Sequence, residues 1–193
     1  MKYNRELFVD GIEKVNIHLR EHPLPTWDEL PEFELYMDQV IVLLGHYLKI
    51  YALDANDDKF ITASMINNYV KLKIMPAPIK KKYNKIHLAY LIIICSLKQT
   101  LSMAIIQKII PYDLEQQQVI DIYKDFVVNQ KKVLKYTLEQ MDSIARPIAK
   151  ESQDNPSRIH DLVLQLAMFS NITKYLTEKT VEMQEDAISE QDK

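Results

Sequence analysis

Residues 60–83, FITASMINNYVKLKIMPAPIKKKY, combine a helix start, a polar helix face and a proline-containing loop that ends in three lysines. No acidic residue occurs between Lys59 and Tyr112. The basic side chains of this window are all lysines, at positions 59, 71, 73, 80, 81, 82, 85, 98 and 108. The whole chain has 24 basic and 27 acidic side chains, so the other residues carry 15 and 27, a balance of −12. This charge separation favours a nucleic-acid-binding segment in an otherwise acidic protein.

The first half of this stretch predicts a short helix over 63–72. Thr62 is a good N-cap, and Ile61 and Ile66 stand at the two positions of a hydrophobic staple. Four polar residues lie three or four positions apart and therefore share one face: Ser64, Asn67, Asn68 and Lys71. Met65, Ile66, Tyr69 and Val70 form the opposite face, which can pack inward. A narrow polar face of this kind suits the major groove of DNA, where asparagine can bond an adenine edge with two hydrogen bonds.

The second half predicts a loop, because Pro76 and Pro78 cannot continue the helix. We expect this loop to be extended and to present Lys80, Lys81 and Lys82 to phosphate groups.

Apolar spacing predicts helices along the rest of the chain, so the predicted fold class is all-α. The predicted helices cover 3–21, 35–51, 85–99, 103–110, 114–148 and 158–184. Thr26 and Glu29 have the spacing of a capping box, and Asn84 and Ser102 are predicted N-caps. We expect Pro147 and residues 153–157 to form the turn between the last two helices, with Asn155 or Ser157 as the cap and Pro156 in the first turn. The apolar stripe of 114–148 is broad, which is typical of a helical bundle or hairpin.

The composition argues against an enzyme and against a bound cofactor. Two glycines cannot form a glycine-rich phosphate loop, and the five histidines are dispersed. His18 and His22 lie four residues apart, but no third metal ligand is nearby, so we interpret them as surface residues. The run DANDDK at 54–59 lacks the glycine and the closing glutamate of a calcium loop, and we interpret it as a solvated loop. We therefore expect no catalytic residues, no metal and no cofactor.

The expected location is the cytoplasm. The N-terminus lacks the apolar segment of a signal peptide, and the longest apolar run, Leu88 to Cys95, is too short to cross a membrane. The single cysteine, Cys95, excludes a disulfide within the chain and favours a reducing compartment. We expect no membrane association.

Several of these motifs resemble the DNA-binding half of MerR-type regulators. The matching pattern is T-x-x-M-I-N-N-Y-x-K, a proline-containing loop, K-K-Y-N, a long apolar helix and L-S-x-x-x-I-x-x-I-I. The resemblance implies a recognition helix that ends in paired aromatic positions, here Asn68 and Tyr69, and a wing with a basic–aromatic pair, here Lys82 and Tyr83. Two departures are a connection of about ten residues before the recognition helix and the absence of arginine from the whole window.

A longer stretch, Leu24 to about Ile110, is similar to a bacterial family known only as a domain of unknown function and described as MerR-like. With the resemblance, the expected fold is all-α, a MerR-like winged helix-turn-helix unit with a small wing and a C-terminal helical bundle or hairpin. The expected domains are an N-terminal helix and proline-rich connector at 1–34, the DNA-binding domain at 35–111, a dimerisation or effector region at 112–185 and a polar tail at 186–193.

The functional hypothesis is a DNA-binding transcriptional regulator that acts as a dimer through its C-terminal helices. Residues 62–72 would read the major groove of double-stranded DNA and residues 76–83 would contact phosphates. The expected DNA-binding residues are Thr62, Ser64, Asn67, Asn68, Tyr69, Lys71, Lys73, Lys80, Lys81, Lys82 and Tyr83. The alternative is a non-catalytic protein–protein adaptor whose basic face binds an acidic partner. Met168, Phe169 and several tyrosines could hold an unknown small-molecule effector, although such a stripe is also typical of a plain core.

Overall fold

The computed structural model of the chain describes residues 4–51, 61–150 and 156–191. Within these ranges the protein is all-helical, as predicted, and its only strand-like features are two isolated bridges, Leu35 with Tyr83 and Ile79 with Lys82. The α-helices are α1 (Arg5–Glu21), α2 (Met37–Tyr47), α3 (Ala63–Lys71), α4 (Lys85–Leu97), α5 (Met103–Ile109), α6 (Gln116–Ala149) and α7 (Pro156–Gln191). Two short 3-10 turns cover Trp27–Glu29 and Lys49–Tyr51.

Local capping determines where most of these helices begin. The predicted N-caps Thr62, Asn84 and Ser102 are confirmed, because each side chain accepts a hydrogen bond from the backbone N–H three residues later, at 3.3, 3.2 and 3.3 Å. The capping box of Thr26 and Glu29 is also present. Each cap satisfies a backbone donor that the first helical turn leaves without an internal partner.

Several predicted boundaries differ from the structure. The last helix, predicted over 158–184, runs from Pro156 to Gln191 as α7. The helix predicted over 35–51 is shorter, since α2 ends at Tyr47 and a 3-10 turn follows. The prediction that Pro147 begins the turn is wrong, because α6 continues through Pro147 to Ala149. A proline so close to the end of a helix removes only one internal hydrogen bond, and the backbone N–H of Lys150 still donates to Arg146. The loop predicted at 54–59 and the cap at Asn155 lie outside the described residues. The alternative cap, Ser157, is wrong because it lies inside α7, while Pro156 is in the first turn as predicted.

The chain divides into two compact units. The inner unit is His22–Lys131, and the terminal unit combines Met1–Glu21 with Lys132–Lys193. The inner unit contains all the residues of the predicted DNA-binding surface. It also contains most of the side chains that are buried in the described part of the chain.

The inner unit is built around α4, whose sequence KIHLAYLIIICSL is apolar on every side. Every residue from His87 to Ser96 is buried, which is typical of a helix enclosed by the rest of its domain. Buried side chains therefore lie all around α4, whereas helical spacing predicts a single buried stripe on one side. Among the elements that enclose it, α2 packs against α4 and also contacts α3.

The polar groups in this core are hydrogen-bonded. The Tyr90 hydroxyl donates to the Pro111 carbonyl at 2.9 Å, and the Ser96 hydroxyl donates to the Ile92 carbonyl at 2.7 Å. The buried Tyr123 hydroxyl donates to the Pro25 carbonyl at 2.7 Å and so ties α6 to the connector before α2. No helix in the described ranges combines the length and hydropathy that a bilayer crossing requires.

We expect Tyr123→Phe to lower the free energy of unfolding of the inner unit by about 1–3 kcal/mol, because it leaves the buried Pro25 carbonyl without its donor. Urea unfolding followed by Trp27 fluorescence measures this effect, since the Trp27 ring lies 6.0 Å from the Tyr123 ring. The control is Tyr136→Phe, which removes an exposed hydroxyl and should change stability by less than about 0.5 kcal/mol. Equal effects of the two variants would contradict the role of this hydrogen bond.

Candidate nucleic-acid interface

Helix α3 presents the predicted polar face to solvent. Ser64, Asn67, Asn68 and Lys71 are all exposed, as is the cap Thr62. On the other side Ile66 and Tyr69 are buried, and Met65 and Val70 are half-buried. The helix therefore separates an exposed polar face from an apolar face, in the arrangement that its spacing predicts.

A left-handed lysine ends α3. Lys73 has a φ of 54°, its N–H donates to the Val70 carbonyl, and the N–H of buried Ile74 donates to the Tyr69 carbonyl. These two bonds form the Schellman motif, in which the left-handed position usually holds glycine. Lys73 is exposed.

The loop after α3 forms a tight hairpin turn with two more left-handed lysines. The backbone groups of Ile79 and Lys82 bond each other in both directions, at 3.1 and 2.9 Å. Between them Lys80 and Lys81 have φ values of 50° and 65°, which is the pattern of a type I′ turn. Asparagine and glycine usually fill these two positions, because a left-handed conformation costs an ordinary residue about 1–2 kcal/mol. We call residues 76–83 the wing.

All the non-glycine residues described with a positive φ are thus lysines of the candidate surface: Lys73, Lys80 and Lys81. Backbone strain tends to collect at functional positions. Sequence reasoning missed this feature, although the scarcity of glycine in the chain was a signal that other residues would have to occupy left-handed positions.

The base of the wing is held by the connector before α2. Leu35 and Tyr83 exchange two backbone hydrogen bonds of 2.8 Å. Lys82 is half-buried, lies 3.5 Å from the Glu34 carboxylate, and places its ammonium group 5.8 Å from the centre of the Tyr36 ring. These contacts favour a bracing role for Lys82.

Lys85 has a similar role at the start of α4. It pairs with Glu32, and its ammonium group lies 4.9 Å from the centre of the Trp27 ring. By contrast, Lys71, Lys73, Lys80 and Lys81 make no ion pair with any residue in the described ranges. Lys59 lies outside those ranges. The lysine window therefore contains both structural lysines and a group of four whose charges face solvent.

Two of the predicted site residues lie in the core. Tyr69 and Tyr83 are buried, and burial raises the pKa of both phenols above the ordinary value. The structure therefore brings Thr62, Ser64, Asn67, Asn68, Lys71, Lys73, Lys80 and Lys81 to the surface, with Lys82 partly covered, and places both tyrosine rings beneath it. The rings anchor α3 and the wing instead of facing a ligand.

A buried histidine fastens the wing to α4. His87 Nδ1 lies 3.1 Å from the backbone N of Asn84 and 2.6 Å from Asn84 Oδ1, and Nε2 lies 3.1 Å from the Ala77 carbonyl oxygen, which can only accept a hydrogen bond. The Tyr83 ring packs edge-on against the imidazole, with 5.6 Å between the ring centres. No group of three metal-ligating side chains occurs among the described residues. His87 is thus a structural link between the loop and the core.

Burial lowers the pKa of His87, although the Ala77 carbonyl and the Glu34 charge partly oppose this. The unfolded chain therefore binds the extra proton more readily than the folded chain. We expect full stability above about pH 6.5, the ordinary histidine value, and a loss of stability as the pH falls from there towards the lowered pKa. His87→Gln should flatten this part of the urea-unfolding profile relative to wild type. Parallel profiles for wild type and His87→Gln would contradict this account.

Comparison with known protein families supports the resemblance to a domain of unknown function. Residues 25–133 match the family described as "Domain of unknown function (DUF1836)". No curated protein and no solved structure matches the chain. The matched region includes α2 to α5, the wing and the first half of α6, and it covers more than half of the sequence. The chain therefore belongs to the DUF1836 family.

Proposed function

We propose that the inner unit binds double-stranded DNA and that the protein is a transcriptional regulator. The observation that carries the proposal is the combination of exposed, uncharged polar side chains on α3 with four exposed lysines, one of them on the same face, that have no described ion-pair partner. The uncharged side chains include Asn67 and Asn68. The four lysines are Lys71, Lys73, Lys80 and Lys81. No acidic residue lies between Lys59 and Tyr112 in the sequence, and the carboxylate that the fold brings to the base of the wing, Glu34, is paired with Lys82.

The dimensions of α3 fit the major groove. Its nine residues span about 14 Å, and an α-helix can enter a groove about 12 Å wide. Asn67 and Asn68 offer both a donor and an acceptor, which is the combination that adenine presents in the major groove. Ser64 adds a hydroxyl that can bond several bases. Because the face has no arginine, these amides would carry most of the sequence readout.

The wing supplies affinity without sequence information. Lysine binds phosphate as a point charge, so Lys80 and Lys81 would position the protein on the backbone of the duplex. Asparagine and glycine at these two positions would relieve the left-handed strain but would remove both charges. The two lysines therefore lower the stability of the turn. This cost is expected if their charges are needed to bind phosphate.

The alternative function is a protein–protein adaptor, and a different surface favours it. A groove of about 510 Å³ lies between residues 29–35 and α2. Phe33 and Val42 on its walls are largely exposed, while Glu29 and Asp38 give it acidic edges. An apolar groove with acidic edges fits a basic amphipathic segment of another protein.

The DNA hypothesis predicts steep salt dependence. Binding of a random-sequence duplex should weaken as salt rises, with a log–log slope of about −5 to −7, because about five to eight phosphate contacts release counterions. Fluorescence anisotropy between about 50 and 200 mM salt measures this slope. Binding that is undetectable at the lowest salt would overturn the regulator hypothesis and favour the adaptor.

A variant of the wing separates binding from folding. Lys80→Asn with Lys81→Gly should reduce the magnitude of the slope by about two for each protomer that contacts the duplex and weaken binding to all sequences alike. The same change should raise the free energy of unfolding by up to about 2–4 kcal/mol, because it relieves two left-handed lysines at about 1–2 kcal/mol each. Lys131→Gln with Lys132→Gln removes the same charge from exposed positions on α6 and is the control. If both pairs weaken binding equally, the contact is not localised to the wing.

We expect Asn67→Ala and Asn68→Ala to relax sequence preference. Each lost bidentate contact removes about 1–3 kcal/mol of discrimination between the preferred base and the others. Binding-site selection from random duplex DNA, performed with wild type and each variant, measures the change. Asn129→Ala, at an exposed position on α6, is the control and should select the wild-type site. An unchanged selected site for both α3 variants would assign base readout to other residues.

A further inference from the structure

The terminal unit lacks a substantial core of its own. Its buried side chains in the described ranges are Leu138, Ala145, Ile148 and Leu162. No residue of α1 is buried, and most of α7 is exposed although it is the longest helix described. Four buried side chains are few for three helices, because tertiary packing supplies most of the stability of helices in proteins.

Helix α7 carries a heptad repeat that the single chain leaves exposed. Apolar or threonine residues recur at alternating spacings of four and three over three heptads: Leu162, Leu166, Phe169, Thr173, Leu176, Thr180 and Met183. Beyond Leu162, the apolar members of this seam are between 41% and 67% exposed. A spacing of 3.5 residues keeps one stripe facing a partner helix along a supercoil. The seam is about 32 Å long.

The two threonines do not oppose burial of the seam. The Thr173 hydroxyl donates to the Phe169 carbonyl at 2.9 Å, and the Thr180 hydroxyl donates to the Leu176 carbonyl at 2.8 Å. Each hydroxyl proton is therefore bonded within the helix, which reduces the cost of excluding water. The threonine side chains also present methyl groups, so the whole seam can pack as an apolar surface.

The seam side of α7 exposes an apolar area close to the minimum for a specific interface. Nine large apolar side chains of α7 are exposed, but helical spacing places Val163, Leu164, Met168 and Tyr175 away from the seam. The exposed apolar side chains on the seam side are Leu166, Phe169, Ile172, Leu176 and Met183. At about 100 Å² each they present about 500 Å², which is in the range of the largest apolar patch of a typical monomer, about 300–600 Å². Two such surfaces would bury about 1,000 Å² in all, about the minimum for a specific interface.

The charges beside the seam favour a second copy of the same chain. The seam itself carries no charge, and the residues beside and behind it have both signs, with Lys174 and Lys179 interspersed with Glu178 and Glu182. A partner of one charge sign would find no complementary surface here. An identical helix matches the heptad spacing along the full length, and paired identical surfaces close into a symmetric dimer.

We propose that α7 of one protomer packs against α7 of a second copy along Leu166–Met183 and that this contact provides the missing core of the terminal unit. The association itself does not depend on DNA binding. Its consequence, two α3 helices presented to two half-sites of one duplex, rests on the proposed function. The terminal unit then serves as the dimerisation device of the protein.

The test is the mass of the full chain in solution, measured by sedimentation equilibrium at about 1–50 μM. Wild type should have twice the chain mass of 22.7 kDa. Phe169→Glu with Leu176→Glu places two charges in the seam and should weaken dimerisation by at least about 100-fold, because an unpaired buried charge is highly unfavourable. Ala167→Glu with Asn171→Glu adds the same charge on the exposed opposite face and should remain dimeric.

Two further readouts keep the test decisive. Trp27 fluorescence reports on the inner unit and should be unchanged in the seam variant, while circular dichroism should show a loss of helix from the terminal unit. Monomeric wild type, a species larger than a dimer, or a seam variant that remains dimeric would overturn the proposal. A dimeric wild type that binds no DNA would overturn the regulator hypothesis and leave this inference intact.

Discussion

The structure of the inner unit depends on the burial of α4 from His87 to Ser96. A helix that is apolar on every side has no face that can remain in water, so other segments must enclose it. Enclosure also requires partners for the polar groups that are buried with it. The Ser96 hydroxyl bonds the Ile92 carbonyl within α4. The Tyr90 hydroxyl and the His87 ring bond the carbonyls of Pro111 and Ala77, and in this way the core fixes the course of the neighbouring loops.

The candidate DNA-binding surface derives its geometry from this core. Buried Tyr69 and Tyr83 anchor α3 and the wing, and His87 holds the loop at Ala77. The connector before α2 pairs with the wing through Leu35 and Glu34. Lys80 and Lys81 are therefore carried on a turn whose base is rigidly attached, and such support is what a binding site needs for defined geometry. The terminal unit differs, because its long helices expose the apolar residues that an inner core would bury.

Features that depend on local sequence were predicted well. The caps at Thr62, Asn84 and Ser102 and the polar face of α3 follow from interactions within a few residues, and the structure contains them. Pro147 was misjudged because the cost of a proline depends on its distance from the helix end, which apolar spacing does not define. The roles of Tyr69 and Tyr83 were also not predictable, since an amphipathic aromatic residue can face either a ligand or a core.

The sequence by itself determined the all-helical class, the starts of the central helices, membership of the DUF1836 family and the concentration of lysines in one window. These are properties of composition and of contacts between neighbouring residues. Only the tertiary structure decided which lysines brace the fold and which face solvent, because Glu32 and Glu34 are about fifty residues from Lys85 and Lys82 along the chain. It alone also revealed the left-handed lysines and the exposed seam of α7, since backbone strain and burial depend on how distant segments pack.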